Sequence, residues 1–300
     1  MKINKIPNNI FISDSNPVRF KEMGNISEIM YSSRGRLKDC PITRLNKEHY
    51  ILNETGELKD FNHISNRSQA LKTVAKTLQN GRDIINTNVT NVEFCRWITI
   101  TYAENMTNTK KLVTDTDNLM RKLHDKYGKF EYITCNEPQG RGAWHIHMLM
   151  IFDYKAPFVP CEDLERMWGK GFCKVTKLDC VDNVGLYLTA YLSDVELKEC
   201  ENLNINSSQL DIKNVNIIDN DNEIINKRIV KGARLYLYPP RFRIFRWSRG
   251  IKKPNIQYLT NKDAQKKVSS AKLTYEKTIE ISDNETNFKS ILNYRYYNKK

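Results

Sequence analysis

The sequence predicts an α+β fold, and three observations predict it. Between residues 96 and 152 the apolar pattern changes period in the order strand, helix, strand, turn, strand. The last of these strands, Trp144 to Phe152, is apolar on both faces, as in a sheet covered on both sides. The chain has 300 residues, enough to bury a substantial core in one large domain or one domain with an appendage.

Taken in order, residues 1 to about 60 are polar, rich in Asn, Ser, Gly and Lys, and read as an extended or loosely folded arm with a basic cluster at Arg34, Arg36 and Lys38. From Ser68 a packing helix is expected, because Leu71, Val74, Ala75, Leu78 and Ile85 fall near one face and Asn66 or Ser68 can cap it. Arg96 to Tyr102 is dominated by β-branched and aromatic residues, which predicts a strand central in a sheet. Leu112, Leu119, Met120, Leu123 and Tyr127 mark an amphipathic helix over residues 109–127, closed by Gly128. A strand over 130–135 then leads through a turn at Glu137 into the Trp144 strand.

Further on, a short helix is expected over 160–168, then a glycine turn and a strand over 172–177. Asp182 or Asn183 can cap a helix that runs to about Glu199. Residues 201 to about 229 alternate Asn, Asp and Ile without a firm period and read as an exposed insertion, hairpin or otherwise. In Lys231 to Pro254 basic and aromatic residues interleave. That suits phosphate contacts and base stacking, and equally an edge strand with core aromatics and solvated arginines. The tail holds a polar helical stretch, a strand-like segment over 272–281 and a basic aromatic end.

Lys and Arg number 48 against 35 Asp and Glu, a net charge of +13 with a pI near 9.3. Such a balance favours a polyanionic partner, nucleic acid first, although solubility alone also accounts for it. The seven cysteines are odd in number and contain no Cys-x-x-Cys pair, the usage of a reducing compartment. With no signal-like leader and no apolar run long enough to span a bilayer, a cytoplasmic protein without a membrane partner is expected.

Two pieces carry chemistry. Side chains alternate along a strand, so His145 and His147 project from one face, where two imidazoles can chelate one ion. Glu137, at a neighbouring strand end, is the choice for a third, oxygen ligand, with Gln139 in reserve. On the following helix Tyr187 and Tyr191 lie one turn apart, about 6 Å along the axis, so both phenols can address one centre. A cation at a phosphate's non-bridging oxygen with a positioned phenol nucleophile is a way to break a phosphodiester. Either half alone is commonly incidental; the combination in this order is far more specific.

Trp97 to Tyr102, Glu137 to Phe152 and Gly185 to Leu192 together resemble the three motifs of the HUH endonuclease superfamily. The likeness is to two-tyrosine rolling-circle replication initiators of small phages and of plasmids and mobile elements of Gram-positive bacteria, over Ser68 to Ser193, with Gly232 to Pro254 a weaker match. It implies a five-stranded antiparallel sheet flanked by helices in an RRM-like palm, a Mg2+ or Mn2+ ion, and origin nicking through a 5′-phosphotyrosine intermediate. It also implies rejoining after replication. The domain organisation that follows is an arm (1–66), a nuclease core (67–200), the insertion (201–230) and a C-terminal segment (231–300) that completes the domain, binds DNA, or does both.

Phage relatives usually carry a lysine just before the second tyrosine, where this chain has Ala190; Lys174 or Lys177 is the available substitute. Arg141, Lys174, Lys177, Arg241, Arg243, Arg246, Trp247 and Arg249 are the candidate contacts to single-stranded or supercoiled origin DNA. No Gly-x-x-x-x-Gly-Lys-Ser/Thr phosphate loop occurs, so unwinding would fall to a host helicase. A relaxase or transposase of the same superfamily, or a non-catalytic nucleic-acid-binding protein, is the alternative. Relaxases generally place the tyrosine before three histidines, and the transposases tend to be much shorter.

Overall fold

The computed structural model describes residues 2–34, 42–53, 55–61, 63, 67–139, 142–176, 178, 184–185, 195–196, 212–218, 224–230, 233–283 and 287–299. The chain divides into two compact units, Met1–His63 with Pro254–Lys300, and Ile64–Lys253.

The first unit contains β1 (Lys2–Ile6), β2 (Pro17–Met23), β3 (Ile26–Ser32), β4 (Ile42–Arg44), β5 (His49–Leu52) and β6 (Leu58–Asp60). From the C-terminal part come β15 (Asn255–Thr260), α4 (Asn261–Lys267), β16 (Lys272–Asp283) and β17 (Phe288–Asn298). Six of these strands form a sheet in the order β1-β16-β17-β3-β2-β15, antiparallel throughout, and β4-β5-β6 form a small separate one. Alternation explains the large sheet. Val18, Phe20, Ile29 and Tyr297 point to one face and are buried with Ala264 of α4 and Val268 just after it.

On the opposite face Glu28 is buried and receives Arg19 Nη2 at 2.6 Å, Tyr296 Oη at 2.5 Å and Lys21 Nζ at 3.5 Å. Burial pushes the Glu28 carboxyl up, but Lys21, the Tyr296 hydrogen bond and Arg19 outweigh it and hold the group below the ordinary carboxylate range.

The expectation of a loosely folded arm over residues 1 to 60 is therefore corrected: most of that stretch is strand, and β2 and β3 lie inside a sheet. The C-terminal segment is corrected too, since the chain from Pro254 onward belongs with the N-terminal strands and only residues before it complete the second unit.

The second unit contains α1 (Leu71–Asn88), β7 (Cys95–Thr101), α2 (Thr109–Tyr127), β8 (Glu131–Pro138), β9 (Trp144–Ile151), α3 (Cys161–Trp168) and β10 (Cys173–Thr176). Three more strands, β11 (Val195–Glu196), β12 (Ile212–Ile218) and β13 (Ile224–Val230), precede β14 (Phe245–Trp247). The expected five-stranded antiparallel sheet is present in the order β10-β7-β9-β8-β14.

Phe245 and Arg246 point to opposite faces of β14 and show which helix covers which. The Phe245 ring is so close to α1 that a Cβ on Gly81 would stand 2.5 Å from it, whereas Arg246 pairs with Asp117 of α2 at 2.9 Å. One helix thus lies on each face. On the α2 side Ile98, Ile100, Ile146, Met148 and Met150 have no exposure at all.

α2 spans residues 109–127 as expected, with Asn108 accepting from the Lys110 and Lys111 amides at its start and Gly128 at φ 74° at its end. α1 follows a short 3-10 turn, and Ala70 at its N-cap gives no side-chain cap, so the capping expected of Asn66 or Ser68 is replaced by that turn. The insertion contains an antiparallel hairpin of β12 and β13, with β11 on its outer edge. β11 pairs Val195 with Val230, so a helix from residue 182 cannot reach Glu199 as expected.

Candidate active site

Register assembles the site. In an antiparallel sheet residues directly opposite share a face. Glu137 of β8 is opposite His145 of β9, which is opposite Thr101 of β7. One step along, Cys135 is opposite His147, which is opposite Thr99, and Thr99 is opposite Lys174 of β10. Glu137, His145, His147, Thr99, Thr101 and Lys174 therefore occupy one face, on the α1 side. Glu137 is part of the β8 ladder, where a turn was expected, and this is what sets it against His145. Gln139, the reserve ligand, lies in the β8–β9 connection, where its amide donates to Ala143 O at 2.7 Å and its carbonyl accepts from Gly142 at 2.8 Å.

Both histidines are half-buried and oriented by neighbours. His147 Nε2 donates to Glu137 Oε2 at 2.7 Å, which makes Nδ1 of the neutral ring an acceptor for the Thr99 hydroxyl at 3.2 Å. Its ring also stacks on Trp97, centroids 5.4 Å apart and planes 7° from parallel. His145 Nε2 shares a hydrogen bond of 3.3 Å with the Thr101 hydroxyl, and the two imidazole centroids are 6.2 Å apart.

Glu137 has a second partner that sequence reasoning missed. Arg234 Nη1 donates to its Oε1 and, at 3.2 Å, to Pro138 O. No local pattern could have pointed to this contact, because the two residues are 97 positions apart and Arg234 sits within a run of arginines that all look alike. Burial raises the Glu137 carboxyl, but the His147 hydrogen bond and the charges of Arg234, His147 and His145 prevail, so the group is held below the ordinary carboxylate range. Cys135 beside it stays a thiol, since burial pushes its pKa well up.

Among the described residues no three His, Cys, Asp or Glu side chains converge as a ready cluster. Glu137 is engaged by His147 and Arg234 instead. The donors nevertheless fit a divalent cation in kind: two imidazoles and an ionised carboxylate, adjacent across two paired strands and only partly exposed.

Tyr187 and Tyr191, like Arg141 and Lys177, lie outside the described residues. The start of their segment is described. Val184 and Gly185 are helical, Val184 is buried in the core, and Gly185 N donates to Asn86 Oδ1 of α1 at 2.8 Å. A Cβ on Gly185 would stand 2.5 Å from Arg82 O, so the segment approaches α1 as closely as a glycine allows. Gly185→Ala is expected to cost about 1–3 kcal/mol by overpacking, read as a lower denaturation midpoint in urea.

The remaining candidate DNA contacts separate into groups. Lys174 is exposed on the histidine face. Arg243, Arg246 and Trp247 line a cleft of about 590 Å³ together with Arg67, Thr77 and Asn80, where Arg67 is a further cation that sequence reasoning missed. Arg246 is half-buried and committed to Asp117. Arg241 and Arg249 are exposed in the turns on either side of β14. Leu235, Tyr238, Ile244 and Phe245 are buried, so much of this segment matches the reading of an edge strand with core aromatics.

Residues 95–196 match the model of a replication-associated protein family, that of the ORF2 replication proteins. The matched stretch is less than half of the chain, begins at β7, and contains β8, β9, both histidines and positions 187 and 191. No curated protein and no solved structure shows significant similarity to the chain. The match supports a role in replication, which entails contact with DNA. No described helix is long and apolar enough to cross a membrane.

Proposed function

We propose that the protein is a rolling-circle replication initiator that nicks one strand at an origin and rejoins it, with the five-stranded sheet as its palm. The observation that carries this reading is the single sheet face on which Glu137, His145 and His147 meet, inside the stretch that resembles a replication-associated family.

Glu137, His145 and His147 would hold Mg2+ or Mn2+, which when bound supplies positive charge to a non-bridging phosphate oxygen and favours ionisation of a nearby phenol. The residues around them do the positioning. Arg234 fixes and partly neutralises Glu137; Thr99 and Trp97 set the plane of His147; Thr101 sets His145. Lys174, two strands from His147 and so about 10 Å away across the sheet, offers a cation to the DNA backbone where relatives use a lysine on the tyrosine helix.

Tyr187 and Tyr191 are the proposed nucleophiles. A phenolic oxygen forms a bond to phosphorus as the bond from phosphorus to the 3′ oxygen breaks, and the phenolic proton ends on that departing oxygen. The phosphotyrosine keeps the energy of the phosphodiester, so a 3′ hydroxyl can later reverse the step without ATP. A second tyrosine permits a second cleavage while the first remains bonded. Strand separation would be left to a host helicase.

The test is incubation with supercoiled origin plasmid and Mn2+. The expected product is nicked circles with protein attached, and in the Tyr187→Phe/Tyr191→Phe double variant the adduct disappears while DNA binding persists. An adduct surviving in that variant would falsify the assignment, and a mobility shift without nicking would make the protein a DNA binder alone.

A further inference from the structure

The six-stranded sheet of the first unit has a helix on one face only. The other face presents an ordered row across five strands: Tyr258 is opposite Arg19, Arg19 opposite Met30, Met30 opposite Tyr294 and Tyr294 opposite Lys277. At about 4.8 Å per strand the row spans about 19 Å, the scale of a few nucleotides. The adjacent row runs Ile256, Lys21, Glu28, Tyr296 and Tyr275. Tyr258, Tyr275 and Ile256 are each at least half exposed, at 58%, 53% and 50%, so the face is open at its rim.

A groove of about 560 Å³ lies on this face, lined by Arg19, Met30, Arg34, Tyr258, Phe288 and Leu292 among others. Its aromatic wall is paired with a cation, Arg34 lying over the Phe288 ring at 4.9 Å. Beneath it the buried Glu28 faces two cations, Arg19 and Lys21, so one positive charge is left over and Arg19 is held in place. Arg19 Nε has no hydrogen-bond partner, and its guanidinium lies within electrostatic reach of both Tyr258 and Tyr294.

We propose that this open face is a second DNA-binding surface, separate from the histidine face, that takes single-stranded DNA with bases stacked on Tyr258 and Tyr294 and phosphates on Arg19, Arg34 and Lys277. Rings interleaved with fixed cations suit unpaired bases, whose faces a duplex hides, and the surplus charge is of the sign a phosphate backbone requires. A protein partner would gain little from a row whose cations lie between its rings. The inference rests on the reading of the chain as a DNA-replication protein, but not on its nuclease chemistry.

The test uses the full chain in EDTA, where no cleavage occurs, and fluorescence anisotropy of a labelled oligothymidylate of about twelve nucleotides. Tyr258→Ala/Lys277→Gln, which leaves the Arg19–Glu28 pair intact, is expected to weaken binding about tenfold and to lower the salt slope by about 0.7. Photocrosslinks from iodouracil-substituted strands are expected at Tyr258 or Tyr294. Unchanged affinity and slope in the variant, or crosslinks confined to residues 64–253, would overturn the proposal. If the variant loses the oligonucleotide and no origin is ever nicked, this surface stands and the nuclease reading falls. If nicking is found and the variant binds like the parent, the reverse holds.

Discussion

His147→Ala is expected to abolish Mn2+-dependent nicking, with a loss exceeding the roughly 10–100-fold that removal of a mere neighbour of a metal ligand produces. At the upper figure that is about 2.7 kcal/mol of transition-state stabilisation. His147 is singled out because three contacts converge on its ring, from Glu137, Thr99 and Trp97. The fold is expected to survive. Glu137 keeps Arg234 when the imidazole is gone, so no buried charge is stranded and the stability cost is about 1 kcal/mol. Nicking rates and a thermal melt on the same preparation separate the two effects. Parent-like nicking in the variant would move the cation away from this face.

Glu28→Ala has the largest expected effect on stability. The carboxylate is 2% exposed and takes contacts from Arg19, Lys21 and Tyr296, and Lys21 is itself buried. Removing it strands cations in a poorly hydrated place, at a cost of about 3–5 kcal/mol. The same group gives the unit an acid-sensitive limb. Its folded pKa is depressed, so its contribution is fully present above the unfolded value of about 4.3 and is lost as pH falls through the lower folded value. Urea midpoints measured near neutrality and again below about pH 4 should therefore converge for the parent and Glu28→Gln. Parallel pH profiles for the two proteins would remove Glu28 as the source.

Much of the second unit was legible because its signals are local. Asn108 and Gly128 bracket α2 at its observed ends, and the alternation through Trp144–Ile151 puts the two histidines on one face and Ile146, Met148 and Met150 on the other. The first unit was not legible, for a physical reason. β2 does alternate, with Val18 and Phe20 inward, but it lies among polar residues, and the sheet that gives the alternation meaning is completed by β17. In the site, the carboxylate and imidazoles were found by type and spacing, whereas Arg234 and the Asn86 contact to Gly185 depend on pairings that only the folded chain creates.

The ladder between β3 and β17 joins residues 26–32 to residues 292–298. During synthesis the ribosome must therefore deliver nearly the whole chain before that ladder can close, and the entropy of so long a loop is spent on it. The histidine unit, encoded entirely between the two halves of the sheet, is free to form earlier. Until β17 emerges, β3 carries an unsatisfied edge, and the nascent protein is most exposed to mispairing through a strand made near the beginning of translation.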